Sequence, residues 1–301
     1  MNFRKSRLVE FGLKSSIDWP SLTALIITLL VWSSAFAAVK AALYYFSPLH
    51  LAVFRFVISS IVLLPFVMFK FGLPDLKDVP FIFFLGVTGM FLYHIPLCIG
   101  EQTVSAGAAS LLIATAPVFT AILAVIILKE KMTFLGWISI AISFSGAAVI
   151  SIGEGGMKPS VGALWILCAA FMESFYFVFQ KNLLPKYGAF RLTTYVIVSS
   201  TILMAPFGRG LFNAVTTAPL SAILTVAYLA VFPTCIGYAG WAYATSRNPA
   251  SLVASSLFLN PVLAIFVAWL WIDEIPSVLS IGGGIIAIMG VCLLQKSRSF
   301  K

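Results

Sequence analysis

Long apolar runs, each ended by a short cluster of Pro, Gly or charge, follow one another along the chain from residue 20 to residue 294. A helix that crosses the hydrocarbon core of a bilayer needs about 20 predominantly apolar residues. Runs of that size fall near residues 20–45, 50–70, 79–100, 105–128, 133–151, 160–181, 190–206, 219–243, 249–271 and 276–294, the seventh being the shortest. Connections such as Phe71-Gly72-Leu73-Pro74-Asp75 and Gly153-Glu154-Gly155-Gly156 carry helix-breaking residues. They are too short to hold a soluble domain. The pattern predicts an all-α membrane protein of ten transmembrane helices. A tail of residues 1–19 is followed by five helices over 20–151, five more over 160–294, and a tail of 295–301.

Composition strengthens this reading. Hydrophobic residues make up 61% of the 301, and only 10% are charged, against about 25% in ordinary soluble domains. A water-facing exterior built from this chain would itself be apolar. The net charge of +9 does not point to nucleic acid, because the basic residues stand singly or in small groups between the apolar runs. Cys98, Cys168, Cys235 and Cys292 lie inside apolar runs without zinc-like spacing, as buried free cysteines do. Arg4, Lys5, Arg7 and Lys14 precede the first run, and Ala35-Phe36-Ala37 resembles a cleavage site. The stretch from Pro20 to Phe46 is too long for the core of a signal peptide, so it is expected to be a retained helix.

Basic residues also set an orientation. With the N-terminus inside, fifteen of the nineteen Lys and Arg fall on the inner side: four in the N-terminal tail, Lys70 and Lys77, Lys129 and Lys131, Lys181, Lys186 and Arg191, Arg247, and three in the C-terminal tail. Only Lys158 and Arg209 fall outside, and Lys40 and Arg55 lie within runs. Both termini are therefore expected in the cytoplasm.

Residues 106–150 align without a gap on 250–294 at an offset of 144, with Pro117-Val118 on Pro261-Val262, Glu130 on Glu274 and Gly146 on Gly290. Five helices per half is an odd number, so the halves would insert in opposite orientations. Inverted repeats of this kind belong to transporters that bind their cargo near the midplane, between the halves.

Three stretches carry a family resemblance. "APVFTAILAVIILKEKMTFLGWISIAISFSGAAVI" (116–150) and its echo "NPVLAIFVAWLWIDEIPSVLSIGGGIIAIMGVCLL" (260–294) resemble the fourth and fifth helices of each half in the drug/metabolite transporter superfamily, EamA type. "VWSSAFAAVKAALYYFSPLHLAVFRFVISSIVLLP" (31–65) resembles the first two helices, with Trp32, Lys40, Pro48 and Arg55 in familiar places. The resemblance implies ten helices in two inverted repeats, a central cavity, and export of amino acids or related metabolites across a bacterial inner membrane. It weakens over helices 6 and 7, where "FMESFYFVFQKNLLPK" is unusually aromatic and carries Glu173.

Polar groups at membrane depth are costly and mark function by default. Glu173 is the one acidic residue placed near the midplane, with Tyr176 and Gln180 three and seven positions further on its face. It could serve a cation, a proton or an amine, or rest as a neutral carboxyl bonded between helices. His94, beside Tyr93 in helix 3, could bind a carboxylate or relay protons, with Glu101 seven residues on as its partner, or be structural. Trp32 with Phe36 and Tyr238 with Trp241 could stack on a flat or cationic substrate. Ser256 and Asn260 add hydrogen-bonding capacity, for cargo or for interhelix packing. Pro117 and Pro261 fall at midplane positions, as gating bends or static kinks. Lys40 and Arg55 are expected to snorkel to the outer headgroups, or to meet an anionic group at an outer gate. With neither reaching the midplane, sugar phosphates and nucleotide sugars are disfavoured. Glu130 and Glu274 are expected to belong to loop or gate architecture.

No P-loop appears, so direct ATP drive is not expected, and no cofactor or metal is. The expected partners are a small-molecule substrate, the lipid bilayer and, for coupling, protons, in a monomer or weak dimer. An intramembrane enzyme acting on lipid, an uptake permease for another metabolite and a non-transporting sensor are the alternatives. An HExxH or GxSxG motif, which an enzyme could use, is absent from the sequence.

Overall fold

The computed structural model of the protein describes residues 19–127, 132–156, 158–248, 253 and 256–299. Among the described residues the regular structure is helical, without strands. Eight segments are long and apolar enough to cross a membrane: Trp19–Leu43, Pro48–Phe71, Leu76–Glu101, Ala106–Leu123, Phe134–Glu154, Val161–Asn182, Ala189–Gly208 and Leu220–Arg247. Two shorter apolar helices follow, Asn260–Ile272 and Val278–Ser299, the latter apolar to Leu294. These segments, one to ten in chain order, overlap the ten predicted runs. Glu130 and, apart from Trp19, the predicted N-terminal tail fall outside the described residues, whereas residues 295–299 of the predicted C-terminal tail continue the last helix.

Local chemistry starts and stops the helices. Ser47, Ser105, Thr133 and Ser160 each stand just before a helix and accept a hydrogen bond from a first-turn amide, at His50, Ala108, Gly136 and Ala163. Gly72, at φ 73°, ends segment two in a conformation that disfavours a side chain. Large apolar residues such as Phe69, Phe134 and Val278 stand almost fully exposed on the exterior, which is stable against lipid and unstable against water.

Among the described residues three segments are interrupted and a fourth, segment nine, follows directly on an irregular turn. Segment three passes through a π-helical turn, Val87–Phe91, and segment eight through a longer one, Ala230–Gly237. Segment four breaks at Ala114-Thr115, between helices Ala106–Ile113 and Ala116–Ile127. In segment nine a 3-10 turn, Leu257–Leu259, precedes Asn260–Ile272. Shifting residues 87–91 by 144 gives 231–235, inside the second π turn, and shifting 114–115 gives 258–259, inside the 3-10 turn. The interruptions thus recur at the sequence offset.

The prolines sit differently from expectation. Pro117 and Pro261 are each the second residue of a new helix, Ala116–Ile127 and Asn260–Ile272. In a first turn the missing N–H has no intrahelical partner to lose. Neither proline bends a continuous helix, because the break lies before each one.

Segments five and ten pack antiparallel along a glycine seam. A Cβ at Gly146 would lie 2.4 Å from Ala287 N and 2.5 Å from Gly283 O. One at Gly290 would lie 2.5 Å from Ser143 N and 2.7 Å from Ser139 O. Adding 144 to 139, 143 and 146 gives 283, 287 and 290, so each helix offers the other the same positions. Backbone approach this close requires residues without bulk.

Candidate functional site

Segments one, two, three, four, six, eight and nine line a cavity of about 50 Å³, room for a few waters. Nine of the residues singled out from the sequence line it: Trp32, Phe36, Arg55, Tyr93, His94, Pro117, Glu173, Tyr238 and Asn260. Phe177, one helical turn beyond Glu173, joins them.

Segment eight organises one wall. Pro233 has no N–H, so the Leu229 carbonyl four residues earlier loses its α-helical partner. The Thr234 hydroxyl donates to that carbonyl at 2.9 Å. The Thr234 hydroxyl oxygen in turn accepts from Arg55 Nε at 2.6 Å. Ser59 Oγ donates to the Ala230 carbonyl at 3.1 Å, and Trp32 Nε1 to the Pro233 carbonyl at 3.0 Å. The π turn therefore holds segments one and two by side-chain bonds.

Arg55 corrects a sequence expectation. It does not snorkel: it is 4% exposed and lines the cavity. Segment two starts at Pro48, which puts Arg55 seven residues in, about 10 Å of helix rise, and the π turn supplies a buried partner on the facing side. The exclusion of phosphorylated cargo for lack of a deep cation loses its premise.

His94 Nδ1 lies 3.0 Å from the Met90 carbonyl. A carbonyl only accepts, so Nδ1 carries a proton and Nε2 is the remaining polar atom. The expected partnership of His94 with Glu101 is not formed: both Glu101 carboxylate oxygens are buried without a partner among the described residues, and seven residues span about two helical turns. His94 stacks edge-on to Phe56 and Tyr93, at 4.8 and 4.6 Å, and lies 6.2 Å from the Tyr238 ring. His94 and Tyr238 are themselves 144 residues apart. Trp32 lies between Tyr238 and Trp241, at 5.2 and 5.4 Å.

Glu173 is 5% exposed. Among the described residues no hydrogen bond or ion pair reaches its carboxyl group, so the alternative of a carboxyl bonded between helices finds no partner there. Asn260 is buried too, and its Oδ1 has no partner among the described residues.

Other expected site residues lie elsewhere. Tyr176 is buried against Gly89, where a Cβ would come within 2.5 Å of its ring. Gln180 is buried in the 3-10 turn Gln180–Asn182, past the cavity's end. Trp241 packs on Phe177 at 5.1 Å, in an apolar cluster with Leu25, Ala244 and Val253. Ser256 bonds the Val253 carbonyl at 2.7 Å, and Pro261 is buried outside the lining. Thr234 and Pro233, which sequence reasoning passed over, carried one visible sign: a proline in the middle of an apolar run.

Lys40 lies at the other end of the cavity, in a polar cluster. Its ammonium donates to the Glu101 and Val104 carbonyls at 2.6 and 3.0 Å and lies 3.8 Å from Glu274 Oε1. Glu274 Oε2 accepts from Ala106 N, and Glu154 Oε2 from Ser105 N, both at 2.8 Å. Lys40 thus meets one anionic group, Glu274, as in the alternative to snorkelling, and Glu274 joins segments nine, four and one.

Known proteins resemble this chain over most of its length. The profile of the EamA-like transporter family matches twice, over residues 19–152 and 160–295. The "Uncharacterized transporter YdfC" of Bacillus subtilis (strain 168) is 47% identical over 264 residues, 87% of this chain and 86% of that one. A "Probable terminal-alkyne amino-acid exporter" of Streptantibioticus cattleyicolor is 34% identical over 275 residues, 91% of this chain and 92% of that one. A solved crystal structure shares the fold, with TM-score 0.62 at 16% identity, covering 93% of this chain and 98% of the other.

Proposed function

The chain belongs to the EamA-like transporter family, and from that premise we propose that it is a secondary transporter exporting amino acids or related small zwitterionic or cationic metabolites by alternating access. It is a multi-pass protein of the membrane. We place it in a bacterial inner membrane with both termini in the cytoplasm, which the distribution of basic residues supports.

The observation that carries the proposal is the cavity lined by Glu173, where interrupted segments three, four and eight meet segment nine and the 3-10 turn before it. Irregular backbone at membrane depth is tolerated where protein covers it or where it lines a cavity. The proposed architecture is two inverted five-helix repeats. Its support is the double family match, the recurrence of the interruptions at the 144-residue offset, and the reciprocal seam between segments five and ten. In this reading the halves rock about that seam. The Lys40 cluster closes the outer end, and the apolar packing of Phe177 and Trp241 closes the inner one. The relative described as an amino-acid exporter supports the cargo class. Glu173 and His94 are the proposed carriers of any coupled proton.

Purified protein in liposomes should give saturable flux of amino acids or small amines. Absence of flux across a broad panel at every pH gradient removes this cargo class. Glu173→Gln should abolish proton coupling, and coupling that survives takes Glu173 out of that role.

A further inference from the structure

Arg55 and Glu173 reach the same cavity from segments two and six, 4% and 5% exposed. Among the described residues no ion pair joins them to each other or to any third group. The Arg55 Nε is bonded to Thr234, and no described residue takes its two terminal amino groups. Tyr93 and Tyr238 also line the cavity.

We infer that this cavity is a zwitterion site, with Arg55 as the pole for a carboxylate and Glu173 as the pole for an ammonium group. The inference rests on the transport reading and deepens it by fixing the polarity of the cargo. A buried charge without a partner is costly. Cargo with a single charge leaves one pole unmatched. Cargo with both charges matches both poles and brings no net charge into the cavity. The planar fork of Arg55 fits a carboxylate through two parallel hydrogen bonds. Asn260 Oδ1, buried and unpartnered in the same cavity, is a further acceptor for an ammonium. A phosphomonoester would satisfy Arg55 and place excess negative charge in the space that Glu173 shares.

The test is calorimetric binding to the purified chain in detergent. Each amino acid that binds is compared with its decarboxylated amine and its deaminated acid, so that shape is nearly constant while one charge is removed. In the wild type both analogues should bind at least about tenfold more weakly, since each leaves one buried pole unpaired. Arg55→Gln should lose the preference over the amine and keep the preference over the acid. Glu173→Gln should do the opposite. Arg55→Lys retains the charge without the fork and should show a reduced preference. It decides the question if Arg55→Gln does not fold. Analogues that bind like the parent, or variants that weaken all three ligands alike, overturn the assignment while measured flux leaves the transport reading standing. Loss of flux for every solute overturns the transport reading itself.

Discussion

Glu154 and Glu274 cap one and the same helix. Each carboxylate accepts a hydrogen bond at 2.8 Å, the first from Ser105 N and the second from Ala106 N, at the start of Ala106–Ile113. Glu154 also accepts from Ser280 Oγ at 2.6 Å. Two residues 120 positions apart thus meet at one helix end, where unpaired N–H groups favour negative charge. Glu154→Ala and Glu274→Ala should each lower stability by about 1 kcal/mol, the usual cost of a lost cap. Thermal melting of the single variants and the double variant checks this, and two unchanged melting temperatures would remove the capping role.

Lys40 donates to the Glu101 and Val104 carbonyls at the end of the cavity proposed to be the outer one. Lys40→Met should loosen it. In a background without native cysteines, Phe36→Cys should then react faster with a membrane-impermeant thiol reagent added from outside. Equal rates with and without Lys40 would show that the cluster is not what bars access.

The seam predicts a contrast among glycines of one helix. Gly290→Ala places a methyl group within 2.5 Å of backbone, whereas a Cβ at Gly282 meets nothing within 4 Å. The first should destabilise by about 1–3 kcal/mol through overpacking. The second should be neutral or stabilise by up to about 1 kcal/mol, because alanine is the better helix former. Denaturation of the two variants side by side reads the difference, and equal losses would argue against a close seam.

Thr234→Val keeps the shape of the side chain and removes the hydroxyl that serves both Leu229 and Arg55. A buried carbonyl and a buried guanidinium N–H would be left unpaired, at about 1–3 kcal/mol each. Thr234→Ser should retain most of the stability. If Val and Ser melt alike, the bridge contributes nothing.

On the side assigned to the cytoplasm, Lys186 bonds both Asp75 and Asp78, and Tyr187 Oη accepts from Asp75 N at 3.1 Å. These carboxylates hold the Lys186 ammonium above the ordinary lysine range. A raised value means that the bond's contribution is complete below the ordinary lysine pKa and is lost only as pH climbs through the higher, folded one. Proteolysis of the loop around Asp75 should therefore be unchanged between neutral pH and about pH 10. Lys186→Met should speed it throughout, and a protective effect that fades within that range would contradict the pairing.

Much of this was legible in the sequence because a bilayer demands long apolar runs and leaves loops little room. The 144-residue offset was visible at Pro117 and Pro261, but not where the helix gives way around them. A proline in an apolar run signals an irregularity without saying whether the helix bends at it or starts just before it. The rotation of segment two about its axis was hidden, since Arg55 faces inward only because a π turn across from it offers Thr234. Tyr176 and Gln180 share a face with Glu173, but one is committed to Gly89 and the other lies beyond the cavity. Face and depth are separate coordinates, and periodicity reports only the first.

The seam between segments five and ten is self-complementary: each helix offers glycine and other small residues at the positions its counterpart requires. A surface of that kind matches a copy of itself under a two-fold rotation. In the proposed inverted arrangement, a polypeptide half this length inserted in both directions would carry the small residues that this seam needs, and joining two such halves in one chain would fix their stoichiometry.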